Sequence, residues 1–217
     1  MESKVSPDPP QNPPDAAALS GTKLQIVEAA LQTLKTKGFA GASARAIAGE
    51  GDFNQALIFY HFGSVRNALL AVLNLIGERR MEEYGPAFER ATTTHELVAL
   101  ARTIYQDDLQ RGYITVLGEM VSGGVTDPSL GAEVAACIEP WIKMVERKIQ
   151  QLLAGTFLQT LAPPRDLAFA LVALYFGVDM LSHLQRDSAR VESLLDLATQ
   201  LSALAQAALP TQQKEAS

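Results

Sequence analysis

Between Asn54 and Phe62 the run NQALIFYHF brings an amide, aromatic rings and an imidazole into one short stretch. Phe53, Ile58 and Phe62 are spaced to share one face of a helix, so Gln55, Ala56, Phe59, Tyr60 and His61 must point elsewhere. Side chains of this kind recognise rather than react. An outward row containing Phe and Tyr requires a partner surface.

Residues that make and break bonds are poorly placed elsewhere. His95-Glu96 opens like a zinc-protease helix, but position 99, where the second histidine would stand, is Ala. His61, His95 and His183 are scattered, and no Gly-x-Ser-x-Gly elbow, phosphate-binding glycine loop or Cys-x-x-Cys is present. Cys137 is the single cysteine, which excludes an intrachain disulfide and fits a reducing compartment. We expect no enzyme, no metal site and no cofactor. The start lacks a basic-then-apolar signal sequence, and the longest uncharged apolar stretch, Leu167 to Val178, stops at Asp179, short of the roughly 20 residues a membrane span needs. A cytoplasmic location is the expectation.

The elements that position these residues read as all-α, because the 47% of apolar residues is dominated by Ala and Leu rather than by β-branched and aromatic types. Residues 1–19, with Pro7, Pro9, Pro10, Pro13 and Pro14 and no apolar period, predict a disordered arm. From Thr22, a potential cap, Leu24, Val27, Leu31 and Leu34 recur at helical steps until Gly38. A second, shorter helix starts at Ser43 as N-cap, turns Ile47 and Ala48 inward and ends near Gly51; a third starts at Asn54, another good cap. Longer helices follow at 65–80, 94–110, 113–123, 129–154, 165–186 and 189–208. Breaks are expected at Gly85-Pro86, Gly123-Gly124, Asp127-Pro128 and Pro163-Pro164, and Pro140 is expected to kink or divide its helix.

Two short helices joined through Gly51-Asp52-Phe53 and packed on a longer one form the arrangement that lays a helix in a DNA major groove. The net charge of -6 argues against nucleic acid until it is divided. From Ser20 to Arg66 five cations stand against three anions, whereas beyond Arg66 there are 12 cations and 18 anions. Only the N-terminal segment is suited to phosphate. The expected layout is a helix-turn-helix DNA-binding domain over 20–66 and a helical effector-binding and dimerisation domain over 67–217.

Gly38-Phe39, the run Ser43-Ala44-Arg45-Ala46-Ile47-Ala48 and the run from Leu57 through Phe59, Tyr60 and His61 to Ser64 together resemble the DNA-binding signature of the tetracycline-repressor (TetR) family. The resemblance implies that Ser43 caps the second helix and touches a phosphate, and that Arg45 reaches a phosphate or a base edge. It places Asn54, Gln55, Ala56 and Leu57 where the recognition helix enters the groove, with Ala56 and Leu57 suited to a thymine methyl. Tyr60 and His61 fall at positions that hold the DNA backbone without reading sequence. Three positions depart from the pattern. Asp52 replaces the usual turn glycine, Phe59 replaces a commoner tyrosine, and Val65 stands where a lysine usually meets phosphate, with Arg66 beside it as the DNA-binding candidate in its place.

In the C-terminal part, Leu167 to Leu184 is apolar nearly all round, which predicts burial on two sides, one toward a cavity and one toward a second subunit. Tyr175, Asp179 and His183 form a four-residue ladder on that helix. With Tyr105, Met120, Trp141 and Met144 they are the candidates for a pocket for a small-molecule effector. The resulting expectation is a homodimeric, ligand-responsive transcriptional regulator, a repressor, that binds a pseudo-palindromic operator in double-stranded DNA and is released by its effector. A ligand-binding or interaction protein of the same fold is the alternative, and an enzyme in the helical cavity a weaker one.

Overall fold

A computed structural model describes residues 21–154, 163–185 and 189–208, in which nine helices and no strand occur. The expected arm over 1–19 lies outside the described residues. α1 (Thr22–Gly41) and the two short helices α2 (Ala44–Gly51) and α3 (Ala56–Phe62) precede the long α4 (Val65–Arg90). Then come α5 (Thr94–Arg111), α6 (Tyr113–Thr126), α7 (Pro128–Leu153), α8 (Pro164–Gln185) and α9 (Ala189–Ala208). No single helix among the described residues is long and apolar enough to cross a membrane.

Local signals account for most of the starts. Ser43 Oγ accepts from the Ala46 amide at 3.2 Å, and Ser64 Oγ accepts from the Asn67 amide at 3.1 Å, each satisfying an orphan donor of the first turn. Asp127 Oδ1 accepts from Ser129 and Leu130 at the start of α7, with Pro128 in the first turn where its missing N–H costs nothing. Thr93 and Glu96 form a reciprocal capping box on α5, which is the role of the His95-Glu96 pair's carboxylate. Thr22 does not cap α1: the N-cap is Gly21, without a side-chain bond. Gly38 interrupts α1 with a φ of 67° and a non-helical ψ, and the segment then resumes to Gly41.

Two of the expected breaks are overturned, and Pro140 does not divide its helix. α4 runs on through Gly85-Pro86 to Arg90, because tertiary contacts offset the proline. Tyr84 is buried with its hydroxyl donating to Asp107 on α5, and Lys148 from α7 donates to the carbonyls of Glu89 and Ala91, closing the helix end with a positive charge. α6 continues through Gly123-Gly124, whose lack of side chains serves close approach. A Cβ on Gly123 would lie 2.7 Å from the Phe39 ring, and one on Gly124 would lie 2.9 Å from Gly131 Cα of α7. α7 is continuous across Pro140.

The core is a single cluster. Ile26, Val27, Leu31 and Leu34 of α1 meet Ile47, Ile58 and Phe62, and this group passes through Ala68 to Val72 of α4 into Val116, Met120, Leu130 and Val134 of α6 and α7. The first half of α4 is therefore buried between the N-terminal helices and those that follow. α8 lies along α7, tied by Arg165 to Glu139 and Glu146, and α9 lies along α5, tied by Arg102 to Glu192 and Asp196.

Candidate nucleic-acid interface and body cavity

α3 is fixed from beneath. Ile58 and Phe62 are buried in the core and Phe53 and Leu57 pack against it, so the helix cannot roll without disrupting the cluster. Its entry is set by the Asn54 carbonyl oxygen of the side chain, which accepts from the Ala56 amide at 2.9 Å; Asn54 thus lies just outside the helix. The turn from α2 is made by Asp52, the sole non-glycine residue with positive φ among the described residues (φ 51°, ψ 53°). Aspartate tolerates that conformation. Gly51 precedes it for a packing reason, since a Cβ there would run into the Phe53 ring and the Ala29 methyl.

With the inner face committed, Asn54, Gln55, Ala56, Phe59 and Tyr60 are exposed on the outside, Phe59 to 51% and Tyr60 to 82%. His61 is half-buried and meets the edge of the Tyr60 ring at 4.9 Å. Ser43 and Arg45 at the start of α2 are exposed as well. Arg66 departs from the expected outward role: its guanidinium pairs with Glu133 at 2.6 Å and Asp127 at 3.0 Å and donates to Ser129, so it is bound to α7 and the turn before it.

Residues 26–72 match the family model described as bacterial regulatory proteins, tetR family. The head is thus similar to the DNA-binding part of that family. No curated protein matches the sequence. Solved structures share the TetR-type fold over the whole described length. The fatty acid degradation regulator FadR from Bacillus halodurans aligns with a TM-score of 0.71 at 16% identity, covering 84% of this chain and 95% of that one. A TetR transcriptional regulator from Legionella pneumophila gives 0.68 at 17%, covering 85% and 99%, and Salmonella enterica GusR gives 0.65 at 18%, covering 84% and 95%.

Behind the TetR-type head, α4, α5, α7 and α8 enclose a cavity of about 240 Å3. Trp141, Met144 and Tyr175 line it, among Phe88, Leu97, Ile104, Leu171 and Phe176. Met120 and Tyr105 do not: Met120 is fully buried in the core cluster, and Tyr105 is buried with its hydroxyl 3.3 Å from Ser182 Oγ. The side chains of Asp179 and His183 lie outside the described residues. The polar groups that the sequence reading missed are Arg80, Lys148 and Asp108. Arg80 Nη2 lies 2.6 Å from Asp108 Oδ2, Tyr175 donates to the same carboxylate at 2.6 Å, and the guanidinium stacks over Trp141 at 4.6 Å. Burial pushes the Asp108 carboxyl above the ordinary carboxylate value, against the opposing pull of Arg80 and the Tyr175 hydroxyl. A signal existed: Val72, Ile76, Arg80 and Tyr84 form a four-residue stride in which only the arginine is charged.

Proposed function

We propose that the chain is a homodimeric repressor that binds a pseudo-palindromic operator through α3 and is released when a small molecule enters the body. The observation that carries this reading is the exposed Gln55, Phe59 and Tyr60 face of a helix whose opposite side is locked into the core. In the groove, about 12 Å wide, Gln55 reads a base edge with Asn54, Ala56 and Leu57 beside it. Ser43, Arg45, Phe59, Tyr60 and His61 set depth and register against the backbone. The dimer forms through α8 and α9. Phe169, Leu174, Leu181 and Leu184 on one helix and Leu194, Leu197, Leu201 and Leu204 on the other are exposed in the single chain, an apolar area that a second copy covers as a four-helix interface.

The twofold axis then sets the two α3 helices roughly 34 Å apart or somewhat more, in successive major grooves. An effector bound better by a form with other spacing weakens the complex tenfold for each 1.4 kcal/mol of differential binding. Footprinting of the purified protein on DNA upstream of its own gene, repeated over a salt series, tests the proposal. A protected site with an inverted repeat and steeply salt-dependent affinity is expected. Binding that ignores sequence throughout would leave only a protein of this fold without an operator.

A further inference from the structure

The body cavity has a sign. Among the residues lining it and the smaller cavity of about 40 Å3 behind Arg80 and Trp141, the charged side chains are Arg80, Lys148 and Asp108, an excess of one positive charge in an otherwise apolar wall. Lys148 is already held by two backbone carbonyls. Arg80, 9% exposed, is not fully matched: Asp108 takes Nη2, while its buried Nε has no hydrogen-bond acceptor among the described residues. A buried donor without an acceptor is rare in folded proteins, and a net buried charge rarer.

We propose that this cavity binds an organic monocarboxylate, its apolar part against Phe88, Leu97, Ile104 and Met144 and its carboxylate on the Arg80 guanidinium, which turns its unsatisfied Nε–H onto the ligand. A monoanion balances the wall. Arginine's planar fork is suited to a carboxylate, and the cavity as a whole, about eight waters' worth at about 30 Å3 each, fits a medium acyl chain or a substituted aromatic acid. The identity of the effector class rests on the ligand-responsive reading above, but the site itself is testable without DNA.

Trp141 is the only tryptophan and stacks on Arg80, so its fluorescence reports occupancy. DNA-free protein is titrated with octanoate, with phenylpropanoate and with the neutral octanamide. Saturable binding of one of the acids, at least tenfold tighter than the amide, is expected, and the stronger acid tells acyl from aryl. The double variant Arg80→Gln/Asp108→Asn removes the charged pair while keeping hydrogen-bonding shape, and should erase the difference between octanoate and octanamide. If that variant does not fold, Asp108→Asn alone decides: with its internal partner neutral, Arg80 should bind the acid at least threefold tighter and leave the amide unchanged. Equal affinity for acid and amide, no saturable binding of either acid, or an acid preference that survives the double variant would each overturn the proposal. Acid that binds with its preference intact yet leaves DNA affinity unchanged supports the site and counts instead against ligand release.

Discussion

Gln55 and Tyr60 stand on the same exposed face of α3 yet should fail differently when altered. Gln55→Ala removes a bidentate donor and acceptor, so preference at one operator base pair should relax at a cost of about 1 to 3 kcal/mol, read by comparing single-base operator variants. Tyr60→Phe deletes a hydroxyl that positions without reading, and binding to every variant should weaken alike. A change of base preference at one position would show that Tyr60 reads sequence. Cys137 is the internal reporter. Burial, with Glu133 nearby, raises its thiol to about 11, so at pH 8 only about one thiol in a thousand is thiolate. Modification by a disulfide reagent in the folded protein should be slow and should accelerate when urea opens the body. Residues on the exposed face of α3 were legible because Ile58 and Phe62 announce the inner face and leave the outer one by subtraction. Arg80 and Asp108 were not, since a charge in an apolar stride reads as surface until its partner, far away in sequence, is known.

At the level of elements, Ser43 and Asn54 were readable as caps, whereas Thr22 proved not to be one and the glycines were misread. Ser43 and Asn54 act within a few residues, so their hydrogen bonds are encoded locally. Gly123 and Gly124 look like a break, but the ring of Phe39 and the backbone of Gly131 that explain them come from distant helices. Gly123→Ala should therefore destabilise the fold by about 1 to 3 kcal/mol through overpacking, where an exposed helix glycine would gain from alanine. Thermal or urea unfolding distinguishes the two. The α5 cap gives a pH signature. Glu96 accepts from the Thr92 and Thr93 amides, which hold its carboxyl below the ordinary 4.5. On acidification the unfolded chain takes up this proton first. The cap's contribution is whole above the ordinary value and is lost as pH falls through the lowered folded value. Glu96→Gln should flatten that part of the acid limb of the unfolding curve, lowering stability at neutral pH and changing little below the lowered folded value.

Across the whole molecule, α6 touches both working ends. Its Glu119 accepts from the Phe39 amide at 2.7 Å, just past the Gly38 interruption of α1, while Ile114 and Leu117 line the small cavity behind Arg80 and Trp141. α4 makes the parallel connection, from Ser64 beside α3 to Arg80 in the cavity wall, and Arg66 fastens its first turn to Asp127 and Glu133. A shift of the cavity wall thus has two mechanical routes to the head, and both pass through helices with core on both sides. Glu119→Gln weakens the α6 route by exchanging a charged acceptor for a neutral one while leaving the cavity lining untouched. Effector affinity of DNA-free protein should stay within about twofold, whereas the factor by which effector lowers operator affinity should fall by about 0.5 to 2 kcal/mol. Titrating effector into protein and into the protein–operator complex measures both quantities. Unchanged coupling in this variant would leave α4 as the sole route between cavity and DNA.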